Sequence, residues 1–181
     1  MGLRERHLYH DYHLFFITTS CYKKLNLLTI GNSIEIVQQS LKYCCKKYQA
    51  SIVGFVLMPN HIHSILHFVK GEDRIHFMRD FKKYTSFRIR KEVEAYDKIL
   101  IEKLRFRSRK QRFKIWQDRF DEVYLESVKI LEIKLDYIHD NPLQEKWQLV
   151  DKPEDYEHSS ALFYAEEIQH EIGLIHYLDF F

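Results

Sequence analysis

The chain has 181 residues, 45% hydrophobic and 15% aromatic, with only 5 Gly and 3 Pro, which excludes a low-complexity chain and fits one globular domain over residues 1–181. The apolar runs are far shorter than a membrane span and no signal-peptide core opens the sequence, so we expect a cytoplasmic protein without membrane association. The 3 cysteines show no metal-site spacing and are expected to be reduced thiols.

The net charge of +2 conceals an uneven distribution along the chain. Residues 70–114 contain 16 Lys and Arg against 7 Asp and Glu, whereas residues 151–181 contain 8 acids and one Lys. A basic middle segment favours a polyanionic partner such as nucleic acid. Packing of the two oppositely charged segments against each other, or plain solvation, is the alternative.

The hydrophobic pattern predicts strands and helices along most of the chain. In chain order we expect a strand at 12–20, a helix from Asn32 to about Gln49, strands at 51–58 and 61–68, a basic helix after Gly71 that continues or restarts towards Leu104, a strand near 113–120, and a helix from about 125 to near Asn141. Asn32 and Glu35 form a capping-box pattern, and the tail after Pro153 suits one more helix. This order predicts an α+β, ferredoxin-like split β-α-β fold, with an antiparallel sheet and its helices on one face.

Two histidines stand one residue apart in the strand predicted at 61–68. Successive side chains of a strand alternate between faces, so His61 and His63 point the same way, with their Cα atoms roughly 7 Å apart. Two imidazoles on one face can bind a single divalent ion if a third ligand comes from elsewhere. The pair also fits a half-polar sheet face that includes His67, and the spacing alone does not separate the two interpretations.

A second set of candidate residues lies in the helix predicted before Pro142. Tyr137 and Asn141 are four residues apart and share one face of that helix. A tyrosine hydroxyl is a suitable nucleophile for a metal-bound phosphate, and the amide oxygen of asparagine is a hard metal ligand. Taken singly, a core position for Tyr137 and a helix C-cap for Asn141 are the commoner roles.

Basic side chains in the middle of the chain are candidates for contacts with a nucleic-acid backbone. Lys82 and Lys83 are adjacent and cannot share one helix face, so at most one of them is central. The aromatic residues of this region can stack on unpaired bases or pack in the core; the core is favoured for Phe113 and Trp116, and both roles stay open for Phe106 and Tyr84. The predicted phosphate contacts are Arg79, Lys82, Lys83, Arg88, Arg90, Arg105, Arg107 and Arg109.

Five segments, in the same order, resemble the single-tyrosine HUH (His-hydrophobe-His) transposases of the IS200-like superfamily, in particular the REP-associated tyrosine transposase branch. They are GFVLMPNHIHSILHF (54–68), FKKYTS (81–86), IWQDRF (115–120), YIHDNP (137–142), and PEDY with SSA (153–156 and 159–161). The resemblance covers about residues 10–164, and the acidic extension 165–181 matches no part of it. Met-Pro-Asn-His-x-His with a later Tyr-Ile-x-x-Asn-Pro is a specific combination.

The resemblance implies that His61 and His63 bind Mg²⁺ or Mn²⁺, with Asn141 as the third protein ligand and Tyr137 as the nucleophile. The implied activity is cleavage and rejoining of single-stranded DNA at hairpin repeats through a 5′-phosphotyrosine intermediate. Because the covalent link conserves the bond energy, no ATP is needed, which fits a sequence without a Walker loop. The implied setting is the bacterial nucleoid, with hairpin DNA as the partner and a homodimer or a monomer as the functional unit.

The sequence departs from the family pattern at two places. Residues 143–149 replace a Gly-rich stretch, and His158 stands where an aromatic residue is expected before Ser159. Both changes bear on hairpin recognition rather than on the chemistry. Two other functions stay open: a domesticated descendant that binds hairpin DNA without cutting it, and a His-x-His metal-dependent phosphohydrolase that uses an activated water and does not need Tyr137.

Overall fold

The computed structural model describes residues 13–106 and 112–180, so the predicted contacts Arg107 and Arg109 lie outside the described residues. Its strands are β1 (Leu14–Ser20), β2 (Ala50–Met58), β3 (His61–Phe68) and β4 (Asp121–Tyr124). Its α-helices are α1 (Ser33–Lys47), α2 (Asp73–Tyr96), α3 (Lys98–Lys103), α4 (Val128–His139) and α5 (Ala161–Glu166). The sheet order is β2-β3-β1-β4 and every neighbouring pair is antiparallel, which confirms the predicted α+β fold. No helix in the described ranges is both long and apolar enough to cross a bilayer.

Helices cover both faces of this sheet. On one face α1 and α2 pack against the sheet, with Leu41 and Phe81 in the same apolar cluster as Phe15 of β1 and Phe55 of β2. On the other face Leu135 of α4 packs in a second cluster with Phe16. The prediction that the helices lie on one face is therefore right for α1 and α2 and wrong for α4. Because the strands are apolar on both sides, each face needs a covering layer.

The fourth strand lies later in the chain than predicted. It is β4, which pairs with β1 from Thr18 opposite Asp121 to Phe15 opposite Tyr124, and the strand predicted near 113–120 is wrong. In that segment Trp116 Nε1 donates to Thr85 Oγ1 on α2 at 2.9 Å. Lys82 Nζ donates to the backbone carbonyls of residues 117–119. These contacts tie residues 116–119 to α2, while an isolated bridge between Trp116 and Cys21 and the Gln117 N–H donating to the Ser20 carbonyl at 2.9 Å link the segment to the end of β1 without forming a strand.

The predicted capping box at the start of α1 does not form, since the Asn32 side chain makes no capping hydrogen bond. Ser33 Oγ donates to the Ile30 carbonyl at 2.6 Å, and the Asn32 N–H donates to Glu92 Oε2 of α2 at 3.0 Å. In a capping box Glu35 would accept the Asn32 N–H; here the Glu92 carboxylate of α2 accepts it instead.

The acidic extension is packed onto the edge of the sheet. Leu174 is buried in the core cluster of α1 and α2, and the Ile175 N–H donates to the Ile52 carbonyl of β2 at 3.0 Å. Just before the extension, the Ser160 N–H donates to the Phe55 carbonyl at 3.0 Å. Both segments cover the edge of β2, which would otherwise expose unpaired backbone groups.

Candidate functional site

Strand β3 brings two imidazoles to the sheet face that α4 covers. The ring centroids of His61 and His63 lie 4.8 Å apart, and the two residues are only 8% and 5% exposed. His67, further along the same strand, stacks on Phe180 with ring centroids 4.1 Å apart. It therefore packs against the C-terminal turn and does not join the pair.

Each imidazole of the pair is held through its Nδ1 atom. Asn60 Nδ2 donates to the Lys24 carbonyl at 2.9 Å, so Asn60 Oδ1 faces His61 Nδ1 at 2.8 Å. An amide oxygen only accepts, so Nδ1 of His61 carries the proton and Nε2 keeps its lone pair. Thr18 Oγ1 lies 2.8 Å from Nδ1 of His63; in the tautomer in which the hydroxyl oxygen accepts from the Nδ1–H, Nε2 of His63 keeps its lone pair as well. Metal-binding histidines are commonly oriented by such a second partner.

Burial keeps both imidazoles neutral. Desolvation lowers the pKa of His61 to about 4 and the pKa of His63 to about 3, and the charges of Lys24 and Lys146 lower both further. A hydrogen bond with the Asn141 side chain acts in the opposite direction on the pKa of His61. The neutral imidazole is the form that binds a metal ion.

Helix α4 places Tyr137 over the histidine pair. The helix begins at Ser127, whose Oγ accepts the Ile130 N–H at 3.4 Å. The Tyr137 ring meets the His63 ring edge-on, with centroids 5.3 Å apart, and the residue is 44% exposed. Phe16 of β1 supports both rings, stacked on His63 at 5.3 Å and edge-on to Tyr137 at 6.1 Å. The phenol is thus fixed by its ring and still accessible from solvent.

Asn141 lies directly after α4 and is only 1% exposed. Its Nδ2 donates to the Tyr137 carbonyl at 2.8 Å, which caps the last turn of the helix. The same side chain lies within hydrogen-bonding reach of His61, and its Oδ1 is a hard donor of the kind that a metal ion accepts. The two roles that the sequence suggests for Asn141, helix cap and metal ligand, are compatible.

These donors fit a divalent ion. Two neutral imidazoles lie beside one amide side chain, and three protein ligands of this kind would leave coordination positions open, as a catalytic site requires. Within residues 13–106 and 112–180 no group of three or more His, Cys, Asp or Glu residues is placed to hold a metal. A third protein ligand at the histidine pair would have to be a residue of another type, and the Asn141 amide is beside His61.

The family model described as "Transposase IS200 like" matches residues 8–141, the span that contains both histidines, Tyr137 and Asn141. The chain belongs to this family. It is 27% identical over 129 residues, 70% of this chain and 68% of the other, to a Haemophilus influenzae protein assigned by prediction as a REP-associated tyrosine transposase. The structure of a REP-associated tyrosine transposase bound to a REP hairpin superposes with a TM-score of 0.64 at 20% identity, covering 90% of this chain and 85% of that one. The resemblance drawn from the sequence motifs is confirmed.

In this IS200-like transposase the predicted phosphate contacts lie away from the histidine pair. Helix α2 covers the opposite face of the sheet, and its exposed side chains point away from that sheet. Lys82 is turned towards backbone carbonyls, and burial lowers its pKa to about 8. Lys83 is exposed on α2. The other described members have local partners: Arg79 with Asp80, Arg88 with the Tyr84 ring, Arg90 with Glu94, and Arg105 with Glu102.

Several residues around the pair are absent from the sequence-based predictions. Lys134 stands three residues before Tyr137 and shares its helix face, a signal that the spacing contains. Asn60 belongs to the Met-Pro-Asn motif, which by itself indicates only a turn. Trp147, whose ring centroid lies 6.1 Å from that of His61, belongs to the segment that departs from the family pattern. Its place beside the site depends on tertiary packing alone.

Proposed function

We propose that this transposase cleaves and rejoins single-stranded DNA at hairpin sequences through a covalent bond between Tyr137 and a 5′-phosphate. The observation that carries the proposal is the edge contact between the Tyr137 and His63 rings, 5.3 Å apart, beside two neutral imidazoles and the Asn141 amide. Membership of the IS200-like family supports it, as does the similarly folded relative described as bound to a REP hairpin. The substrate would then be chromosomal DNA of the nucleoid.

In this reaction Tyr137 Oη attacks the phosphorus, the Oη–P bond forms, and the P–O3′ bond breaks. The phenol proton passes to solvent, and the 3′ oxygen leaves as a hydroxyl after taking up a proton. Attack by a 3′-hydroxyl on the phosphotyrosine reverses the step, rejoins a strand and frees Tyr137. Phe16 holds the phenol ring in place throughout, since it contacts both the phenol and His63.

His61, His63 and Asn141 would hold the divalent ion, Mg²⁺ or Mn²⁺. When bound, the ion supplies Lewis-acid polarisation of the scissile phosphate. Imidazole nitrogens suit transition-metal ions better than Mg²⁺, which prefers oxygen donors, so Mn²⁺ is the closer match to this donor set.

The test is adduct formation with labelled single-stranded hairpin DNA in Mn²⁺, read on a denaturing gel. Wild type should yield a protein–DNA adduct and Tyr137→Phe none, because a phenyl ring has no nucleophile. The matched control is Tyr43→Phe, which removes a hydroxyl from a tyrosine that is 67% exposed on α1 and should leave the adduct unchanged.

The other two functions give different gels. A phosphohydrolase that activates water would cut the DNA in Tyr137→Phe as well as in wild type, without an adduct. A non-cleaving binding protein would shift the hairpin on a native gel and leave it intact in wild type. Either pattern, across hairpins of varied stem and flank, would refute the tyrosine transposase proposal.

A further inference from the structure

Three lysines lie around the histidine pair, on the sheet face that α4 covers. The proposed reaction gives none of them a role. They come from separate segments: Lys24 follows β1, Lys134 lies on α4, and Lys146 follows the turn at 141–143. In the described part of the chain, none of the three forms an ion pair with a carboxylate. Their positive charges are therefore available to a ligand.

Lys134 lies at the Tyr137 end of the site. Its Nζ atom is 5.6 Å from the centroid of the Tyr137 ring and 5.0 Å from the centroid of the Phe16 ring. Both rings contact His63, so the ammonium lies one side chain away from the proposed metal ligand. Its charge is also among the causes that lower the pKa of His63.

Lys24 and Lys146 lie at the His61 end. Lys24 Nζ donates to Ser20 Oγ at 2.8 Å, and Ser20 pairs with His61 across β1 and β3. Lys146 Nζ is 5.9 Å from the centroid of the Trp147 ring, which in turn lies 6.1 Å from that of His61. The two ammonium groups are thus held near the same imidazole by different parts of the chain.

We propose that Lys24, Lys134 and Lys146 form a phosphate-binding site for the backbone of the strand that is cleaved. This inference rests on the proposed function and names the residues that contact its substrate near the reacting atoms. One cation lies at the Tyr137 end and two lie at the His61 end, so phosphates on both sides of the attacked bond meet positive charge. The exposed cations of α2 cannot serve there, because α2 covers the opposite face of the sheet.

A short single strand without a hairpin tests this site separately from hairpin recognition. Affinity is measured by fluorescence anisotropy with a labelled oligothymidylate of about 12 nucleotides, in EDTA, at NaCl concentrations from about 50 to 300 mM. Each Lys→Gln change at positions 24, 134 and 146 should weaken binding about fivefold at 0.1 M salt and reduce the salt slope by about 0.7, since a single-strand contact contributes about that much. The triple Gln variant should lose about a hundredfold.

Matched controls separate the proposed site from a general loss of charge. Lys129→Gln removes an exposed lysine from the same helix as Lys134, and Lys46→Gln removes one from α1; both should bind like wild type. A triple Lys→Arg variant keeps the charges and should keep the affinity. Melting temperatures close to that of wild type should verify that every variant is folded, because the three positions are exposed or half-buried.

The outcomes distinguish this inference from the proposed function. If the triple Gln variant binds with wild-type affinity and salt slope, or if the triple Arg variant binds as weakly as the Gln variant, the phosphate site is refuted. Wild-type adduct formation in the Tyr137 assay would leave the proposed function intact in that case. Conversely, weakened binding by the Gln variants supports the phosphate site even if wild type forms no adduct.

Discussion

Asn60 should determine how well the site binds metal, although it is not itself a proposed ligand. Its Nδ2 donates to the Lys24 carbonyl at 2.9 Å and its Oδ1 accepts from His61 Nδ1 at 2.8 Å. Asn60→Ala removes both hydrogen bonds, so His61 can rotate or place its proton on Nε2, the atom that must bind the ion. Asn60→Asp keeps the acceptor for His61 and suits the turn equally well, so it should lose less.

The size of the effect follows from the two bonds removed. Each hydrogen bond contributes about 1 kcal/mol net, so Asn60→Ala should cost about 2 kcal/mol of metal-binding free energy, equivalent to about 30-fold in Kd. Mutation of a residue that hydrogen-bonds to a metal-binding histidine typically weakens metal affinity about 10-fold to 100-fold. The loss expected for Asn60→Ala lies within that range. Asn26→Ala is the matched control, since the Asn26 side chain makes no capping hydrogen bond.

The assay is calorimetric titration of the metal-free protein with Mn²⁺, combined with ¹⁵N NMR of the histidine side chains. In wild type the spectrum should show the His61 proton on Nδ1, and in Asn60→Ala it should show the other tautomer or a mixture. Equal Mn²⁺ affinities for wild type and Asn60→Ala, or a wild-type proton on Nε2, would refute the reasoning.

Three further changes test buried contacts on the two faces of the sheet. Gly54→Ala puts a Cβ 2.6 Å from Leu135 Cδ2 of α4, so urea titrations should show a loss of about 1–3 kcal/mol; unchanged stability would contradict this close approach. Arg74→Met removes a guanidinium 3.1 Å from the buried Glu122 carboxylate and should cost about 3–5 kcal/mol, part of which an added Glu122→Gln should restore. Burial lowers the pKa of His139 from 6.5 to about 4, so on acidification the unfolded chain takes up a proton that the folded chain does not. The metal-free protein should therefore lose up to about 2 kcal/mol from this group between pH 7 and pH 5, and identical pH slopes for wild type and His139→Gln would refute that assignment.

The parts of the site that the sequence predicts are those determined by local periodicity. The two-residue period of a strand puts His61 and His63 on one face, and the helical period puts Tyr137 and Asn141 together; the structure agrees on both placements. The family motifs then relate the two segments, although 74 residues separate His63 from Tyr137. The assigned roles of these residues in metal binding and catalysis remain proposals.

The parts that the sequence does not predict depend on long-range packing. An aromatic-rich stretch such as 113–120 suits a strand equally well whether it pairs along β1 or runs beside α2. The hydrogen bond from Trp116 to Thr85, which joins residues 31 apart, ties it to the helix. Charge counting is similarly limited, because it finds the basic segment around α2 but not the side of the sheet on which those charges lie.

The position of α4 on its own side of the sheet explains why the proposed site and the larger core cluster lie on opposite faces. α1 and α2 bury the larger apolar cluster on one face, and that face carries neither histidine of the pair. On the other face the distance between Tyr137 and His63 depends on how closely α4 approaches β2, and the close contact of Leu135 with Gly54 sets a limit to that approach. A side chain at position 54 would therefore displace the nucleophile from the proposed metal ligands without altering any residue that takes part in the reaction.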